Sequence, residues 1–258
     1  YGVPGHGHAH AHGDEEEHHG DEEEHHGDEE EHHGEEEEHA HEHGGEAGEA
    51  SVMIELDQTR YDLDGEIDLP GEVFRSLRFR LNYADYRHRE REGDTVGTQF
   101  DREGLDSRIE LSHRLGGGLT GITGLQFSDT DFDAEGAEAF TPASTTRDLA
   151  AFAYESWAME SFTLEGGLRL ERREVDLREG SAGGYDAWAW SASAGLLYPL
   201  RSGINLGLNL SRSERHPTAT ELYADGPHAA TRQFEVGDPA LGTETSHGVD
   251  ASLKVFDG

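Results

Sequence analysis

The feature that most constrains the fold is a regular alternation of apolar and polar residues along the second part of the chain. It is clearest where every second residue is apolar or glycine, at Phe162, Leu164, Gly166, Leu168 and Leu170. Successive side chains of a β-strand point to opposite faces, so this pattern predicts strands with one apolar and one polar face. The alternation predicts nine strands, near residues 51–70, 75–88, 101–115, 119–130, 147–159, 162–178, 186–199, 204–213 and 245–256.

The connections between these strands alternate in length. Short connections are predicted at 70–74, 116–118, 160–161 and 200–203, and long ones at 89–100, 131–146, 179–185 and 214–244. Transmembrane barrels of the outer membrane alternate short periplasmic turns with long extracellular loops in this way. The predicted fold class is therefore all-β, an antiparallel transmembrane β-barrel of which this chain holds about nine strands.

A soluble β-sandwich is the alternative, because it also produces alternating strands. Several predicted strands exceed the roughly 5–6 residues usual in soluble sheets, which favours the membrane barrel. Their polar positions are rich in arginine, glutamate and asparagine, as expected for a water-filled lumen. Aromatic residues near the predicted strand ends also fit the girdles found at membrane surfaces. These residues are Phe74, Tyr86, Phe127, Trp157, Phe162, Tyr198 and Phe256.

Charge and cysteine content narrow the choice of partners. The 258-residue chain has 56 acidic and 20 basic residues, with a formal net charge of -36. Binding to nucleic-acid phosphates needs dense positive charge, so nucleic acid is excluded as a partner and cations are favoured. The chain has no cysteine, which excludes disulfides, thiolate metal sites and cysteine nucleophiles.

Acids and histidines are concentrated in residues 1–50, which hold 13 of the 18 histidines and 19 of the 56 acids but no lysine or arginine. A seven-residue repeat, GDEEEHH, occurs at 13–19, 20–26 and 27–33, and a degenerate copy extends to residue 43. The repeat lacks apolar residues, so it is not a coiled-coil heptad, and we expect it to be disordered without metal. We assign residues 1–50 to an extracellular metal-binding loop rich in His, Asp and Glu, and residues 51–258 to a partial barrel.

Imidazole and carboxylate are the ligands that suit Zn²⁺ when sulfur is absent. We expect several exchangeable sites of modest affinity, because ordering the chain opposes binding. Ni²⁺, Cu²⁺ and Co²⁺ stay open as cargo, and a solvated acidic linker without a ligand is the alternative reading of the region. The expected ligands are His6, His8, His10, His12, His18, His19, His25, His26, His32, His33, His39, His41 and His43.

Six segments carry a family resemblance: residues 1–6 (YGVPGH), 57–63 (DQTRYDL), 211–219 (SRSERHPTA), 221–228 (ELYADGPH), 234–241 (FEVGDPAL) and 244–246 (ETS). They resemble TonB-dependent receptors, in particular a branch that takes up zinc through a His-rich extracellular loop. The resemblance implies a barrel of about 22 strands around a plug. It also implies a plug and a TonB-coupling segment that are missing here, so we expect the chain to be a fragment of a longer receptor.

Outside the His-rich region, His228 is the candidate for a defined metal site near the barrel mouth, together with Glu221, Asp225 or His216. An exposed loop histidine is the alternative reading of His228. We expect His247 to lie near that site or at the membrane interface. The other two histidines are expected to be structural or lumen-facing rather than ligands: His88 and His113. No phosphate loop, His-Glu-x-x-His helix or nucleophile elbow is present, so we expect neither catalysis nor a catalytic cofactor.

The resulting hypothesis is active uptake of divalent metal, with zinc as the expected cargo, across the outer membrane of a Gram-negative bacterium. The His-rich loop would be the collector on the extracellular side, outer-membrane lipid would surround the barrel, and the TonB complex would supply energy through the missing N-terminal region. Two alternatives stay open. One is a receptor for haem or a siderophore-type metal chelate, and the other is a passive metal-buffering protein of the cell surface.

Overall fold

The computed structural model describes residues 52–92, 94–136, 139–178, 183–228 and 233–256. The expectations for residues 1–50, both disorder and metal binding, lie outside these ranges. The elements are β1 (Val52–Asp68), β2 (Phe74–Glu92), β3 (Thr95–Leu115), β4 (Leu119–Gly136), β5 (Ser144–Ala158), β6 (Thr163–Leu177), β7 (Tyr185–Arg201), β8 (Ile204–Arg215), α1 (Ala219–Tyr223), β9 (Asp225–His228), β10 (Gln233–Val236) and β11 (Glu244–Val255).

Nine of the described strands form one antiparallel sheet in the order β1-β2-β3-β4-β5-β6-β7-β8-β11. The prediction of nine strands in an antiparallel sheet is confirmed. The two short strands β9 and β10 form a separate hairpin inside the connection between β8 and β11. Within the described ranges, no helix has the length and hydropathy that crossing a membrane requires.

The strand register gives the large sheet one apolar face. Residues paired across two strands lie on the same face, and the pairs Ile67–Leu77, Leu77–Leu111 and Ile109–Leu125 carry apolar side chains from β1 to β4. The large apolar side chains of this face are exposed along the whole sheet, among them Leu63, Ile109, Leu125, Leu168, Trp188, Leu210 and Leu253. A contiguous exposed surface of this kind requires a non-aqueous environment or a partner.

The opposite, polar face of the sheet carries a series of cross-strand ion pairs. Arg78 Nη2 lies 2.8 Å from Glu66 Oε2, and Arg80 Nε lies 2.9 Å from Asp64 Oδ1. Farther along the sheet, Arg173 Nε lies 2.7 Å from Asp148 Oδ1. Charges of both signs therefore neutralise each other along this face, as expected for a hydrated lumen.

The prediction of a long connection at residues 89–100 is wrong. Strand β2 continues to Glu92 and β3 begins at Thr95, so the two strands form a tight hairpin there. The alternation of apolar and polar residues fades in this segment because both faces are polar. Cross-strand contacts hold the ladder instead, with Arg87 Nε 2.5 Å from Asp101 Oδ1 and Arg89 Nε donating to Gln99 Oε1 at 2.8 Å.

The other connections agree more closely with expectation. The expected loop at residues 131–146 is shorter than predicted, because β4 extends to Gly136 and β5 begins at Ser144. The short connection at residues 116–118 is confirmed as a single 3₁₀ turn. Gly117 and Gly118 have φ values of 76° and 84° there, a conformation that favours glycine.

Candidate functional site

The connection between β8 and β11 contains the histidine and acids predicted to form a defined site. It opens with α1, whose first turn is closed by a capping box between Thr218 and Glu221. The Glu221 carboxylate also accepts hydrogen bonds from Arg215 Nη1 and Nη2, at 2.9 and 3.0 Å. These bonds, led by those from Arg215, lower the pKa of Glu221 to about 2. Glu221 is thus an ionised anchor for the start of the connection.

A small hydrophobic core fastens α1 to the polar face of the sheet. Leu222 and Val175 are fully buried and Tyr223 is nearly so. Val175 and Tyr185, which also packs here, belong to the polar face of β6 and β7. Tyr223 further donates its hydroxyl hydrogen to the carbonyl oxygen of Gly183, at 3.1 Å. The connection therefore folds over the polar face of these strands.

His216 directly follows β8 at the start of this connection, and only 2% of its surface is exposed. Its Nδ1 is 3.0 Å from the hydroxyl of Tyr185, and its Nε2 is 4.0 Å from Oε1 of Glu171. Within the described part of the chain, Nε2 has no hydrogen-bond partner. Burial, assisted by the positive charge of Arg173, lowers the pKa of His216, so its imidazole is neutral near pH 7.

His228 is paired with an acid that the sequence did not indicate. In the β9–β10 hairpin, Gly226 is opposite Glu235, which places Glu235 diagonally across from His228 on the same face. Nδ1 of His228 donates to Oε1 of Glu235 at 2.6 Å, and the imidazole packs on Phe140 with ring centroids 4.9 Å apart. A carboxylate only accepts hydrogen bonds, so the ring nitrogen that faces Glu235 is the donor. Metal-binding histidines commonly have this arrangement.

The structure does not place the two predicted acids, Asp225 and Glu221, against the imidazole of His228. Asp225 is three residues from His228 on the same strand, so the two side chains point to opposite faces of β9. Glu221 lies with Glu235 and Asp238 along a cleft of about 380 Å³ in the connection. Among the described residues, no group of three or more His, Asp or Glu side chains has the geometry of a metal site. The roles of His228, Glu221 and Asp225 as ligands stay predictions.

The remaining histidines of the barrel region lie on both faces. His88 lies on the polar face, with Nε2 3.4 Å from Glu90 Oε1 and its ring 5.1 Å from that of Phe100. His247 is opposite Arg212 on the apolar face. His113 also lies on the apolar face, where its Nε2 contacts Glu155 Oε1 at 2.9 Å, so it is not lumen-facing. The 13 histidines of residues 1–50 lie outside the described ranges.

Comparison with known families gives a match that covers most of the chain. Residues 43–258 match the model described as "TonB dependent receptor-like, beta-barrel". The match begins near the end of the His-rich region and includes the whole nine-stranded sheet and the connection that contains His216 and His228.

Solved structures of similar fold include two transporters and one receptor. They are the copper transporter OprC (18% identity, TM-score 0.67), the FrpB iron transporter from Neisseria meningitidis (14%, 0.61) and the hemophore receptor HasR from Serratia marcescens, solved with its hemophore HasA and heme (16%, 0.63). The similarity covers 79%, 80% and 79% of this chain, respectively. The chain spans only 36%, 35% and 37% of those proteins, and at these identities the likeness concerns the fold alone.

Proposed function

This chain belongs to the TonB-dependent receptor family by its β-barrel, and on that premise we propose that it is part of an outer-membrane receptor that takes up zinc. Receptors of this family lie in the outer membrane of Gram-negative bacteria. The exposed apolar face of the sheet would then contact lipid, and the ion-paired face would line the lumen.

The observation that carries the proposal is the density of metal ligands in residues 1–50. Thirteen histidines and 19 acids without a single lysine or arginine provide many nitrogen and oxygen ligands and attract cations electrostatically. Modest affinity suits a collector, because a receptor must release its cargo inward. The copper and iron transporters of similar fold support a metal cargo in general, and the choice of zinc rests on the ligand type.

A second feature supports a path from the collector to the lumen. The connection between β8 and β11 covers the lumen-facing side of β6 and β7, and it carries Glu235 with its partner His228 beside a cleft lined by three carboxylates. We propose that this connection contains the first well-defined binding site for a cation released from the His-rich region. Capture by the repeats would raise the local concentration, and the His228–Glu235 pair would select the ion.

Uptake of an organic metal chelate is the second candidate. The similarity to HasR, whose structure contains heme, favours this class, and it needs no direct metal ligand in the barrel. In that case the His-rich region would have a secondary role. Passive buffering of metal at the cell surface is the third possibility, and it differs from both uptake hypotheses because it needs no energy.

The test is zinc accumulation by cells that carry the full-length receptor, with or without residues 6–43, and with the energy-coupling system intact or disabled. At limiting zinc, we expect energy-dependent accumulation that falls severalfold on deletion. A control variant changes all 13 histidines of this region to glutamine and keeps length and formal charge: His6, His8, His10, His12, His18, His19, His25, His26, His32, His33, His39, His41 and His43. It separates ligation from simple attraction of cations.

Each outcome of this experiment has a definite meaning. Zinc that binds to cells without energy-dependent entry would replace uptake by buffering. Energy-dependent entry of heme but not of zinc would replace metal by chelate as the cargo. Full activity of the glutamine variant, with loss only on deletion, would assign the region to electrostatic attraction.

A further inference from the structure

An ionisable pair lies on the apolar face of the sheet, close to the short turn between β3 and β4. His113 Nε2 is 2.9 Å from Oε1 and 3.1 Å from Oε2 of Glu155. The two residues belong to β3 and β5 and meet across Gly121 of β4, which is opposite both of them. A Cβ atom at Gly121 would lie 2.4 Å from Glu155 Oε2. The contact therefore depends on a glycine between the two side chains.

The position of Trp157 gives the depth of this pair. Trp157 lies two residues beyond Glu155 on the same face, and its indole N–H donates to the carbonyl oxygen of Gly117 in the turn, at 2.9 Å. Tryptophan in a membrane barrel marks the interface with water, and the short turns are periplasmic. The His113–Glu155 pair thus lies one step inside the periplasmic girdle. Ionisable groups that face lipid at such a depth are costly and indicate a function.

An apolar groove begins on the membrane-centre side of the pair. It has a volume of about 470 Å³ and its lining includes Leu77, Ile109, Leu111, Thr123, Leu125 and Ala151. On β3 and β4, Leu111 and Thr123 are the residues next to His113 and Gly121 on this face. The groove can hold part of an acyl chain, because its lining is apolar and faces the hydrocarbon.

A notch opens beside the carboxylate at the end of this groove. Gly166 of β6 is opposite Glu155, and a Cβ atom there would meet nothing closer than Ser193 O at 3.9 Å. The Glu155 side chain is 38% exposed, whereas that of His113 is only 9% exposed. His113 holds the carboxylate from one side, and the other side is open to a ligand. We call His113, Gly121, Glu155 and Gly166 the headgroup notch.

We propose that the headgroup notch and the groove together bind one phospholipid with a primary ammonium headgroup in the periplasmic leaflet. Glu155 accepts hydrogen bonds from the ammonium, and an acyl chain lies along the groove. His113 is a positioning residue that orients the carboxylate. A carboxylate accepts hydrogen bonds only, so it distinguishes a primary ammonium, which donates three, from a quaternary ammonium, which donates none. The inference rests on the membrane-spanning barrel and not on the cargo.

The test measures lipid retention by the purified full-length receptor with native mass spectrometry. The receptor is titrated with equimolar phosphatidylethanolamine, phosphatidylcholine and phosphatidylglycerol of identical acyl chains. We expect retention of one phosphatidylethanolamine with about a tenfold preference over phosphatidylcholine, the size of one charge-assisted hydrogen bond. Equal retention of the two lipids by the unaltered receptor would overturn the proposal, and so would a preference for phosphatidylglycerol.

Three variants locate the preference on the protein. Glu155→Gln removes the charge, and Gly166→Val fills the notch beside the Glu155 carboxylate, so both should abolish the preference. Glu165→Gln is the matched control, because Glu165 precedes Gly166 on β6 and lies on the polar face. Preference that survives both Glu155→Gln and Gly166→Val would exclude the site. Zinc does not enter this measurement, so its failure and the failure of zinc uptake are independent.

Discussion

Residues 1–50 and the connection between β8 and β11 use the same two ligand types in opposite ways. The first region has 13 histidines, and Tyr1 and Val3 are its only large apolar residues. The connection has two histidines, each with a specific partner: His216 contacts Tyr185 of the core around Leu222, and His228 pairs with Glu235 and packs on Phe140. The number of metal ligands in a region and the geometry in which they are held are therefore independent properties of this chain. The repeats offer capacity, and the connection offers orientation by neighbouring groups.

The largest predicted effect is the loss of zinc binding by the repeats at acidic pH. At pH 5 nearly all repeat histidines are protonated, since the unperturbed pKa of histidine is about 6.5. We expect the full-length receptor to lose most of the zinc that it binds at pH 7.5, measured as zinc per protein by equilibrium dialysis. The receptor without residues 6–43 is the control and should change little. Equal binding at pH 5 and pH 7.5 would contradict histidine ligation.

The proposed metal site at the His228–Glu235 pair is tested by replacing His228 in the receptor that lacks residues 6–43. We expect Glu235→Gln to raise the zinc concentration for half-maximal uptake about tenfold, because loss of a supporting partner typically weakens a metal site by 10-fold or more. His228→Ala should raise it further, because it removes the ligand itself. Gln233→Ala is the matched control, since Gln233 is opposite His228 in the hairpin. Unchanged uptake in His228→Ala at limiting zinc would remove His228 from the path.

Protonation of Glu221 is expected to destabilise the start of the connection at lower pH, which is a smaller effect than the loss of zinc binding. Its pKa in the folded protein is about 2, below the usual value of 4.5, so the folded state gains stability from the ionised form above pH 4.5. This stability is lost as the pH falls from 4.5 through about 2. We expect the amides of α1 to lose protection from hydrogen exchange in that window. Glu221→Gln should lower the protection at pH 5 and flatten the further loss. A transition of equal size in the variant would assign the acid sensitivity to other groups.

Much of the sheet was predictable because its pattern is local. The strands of the large sheet show an apolar face through alternation over much of their length, and these nine strands were found from that signal. The hairpin at residues 89–100 was missed because both faces are polar there: Arg87 and Arg89 with their partners lie on one face, and Glu90 is paired with Thr98 on the other. Alternation cannot reveal a strand that has no apolar face, and only the pairing with its neighbour does so.

The candidate site was predictable only in part. The local motif drew attention to His228 and to the acids near it in sequence, but Glu235 lies across a hairpin turn. The pattern of residues 225–228 and 233–236 is too short to indicate two strands, and Pro227 argues for a loop. The chemistry of the site was therefore visible in the sequence, whereas the identity of the partner acid was not.

Three properties follow directly from the order of the amino acids: the alternation of the strands, the excess of negative charge, and the supply of imidazole and carboxylate in the repeats. Those properties depend on residue type and short spacing, which each segment carries without help from the rest of the chain. The contacts between distant groups depend on the folded structure, as with His216 and Tyr185, 31 residues apart, or His113 and Glu155, 42 residues apart. The reason is register. A shift of one residue between two strands moves a side chain to the other face of the sheet, and no local pattern specifies that shift.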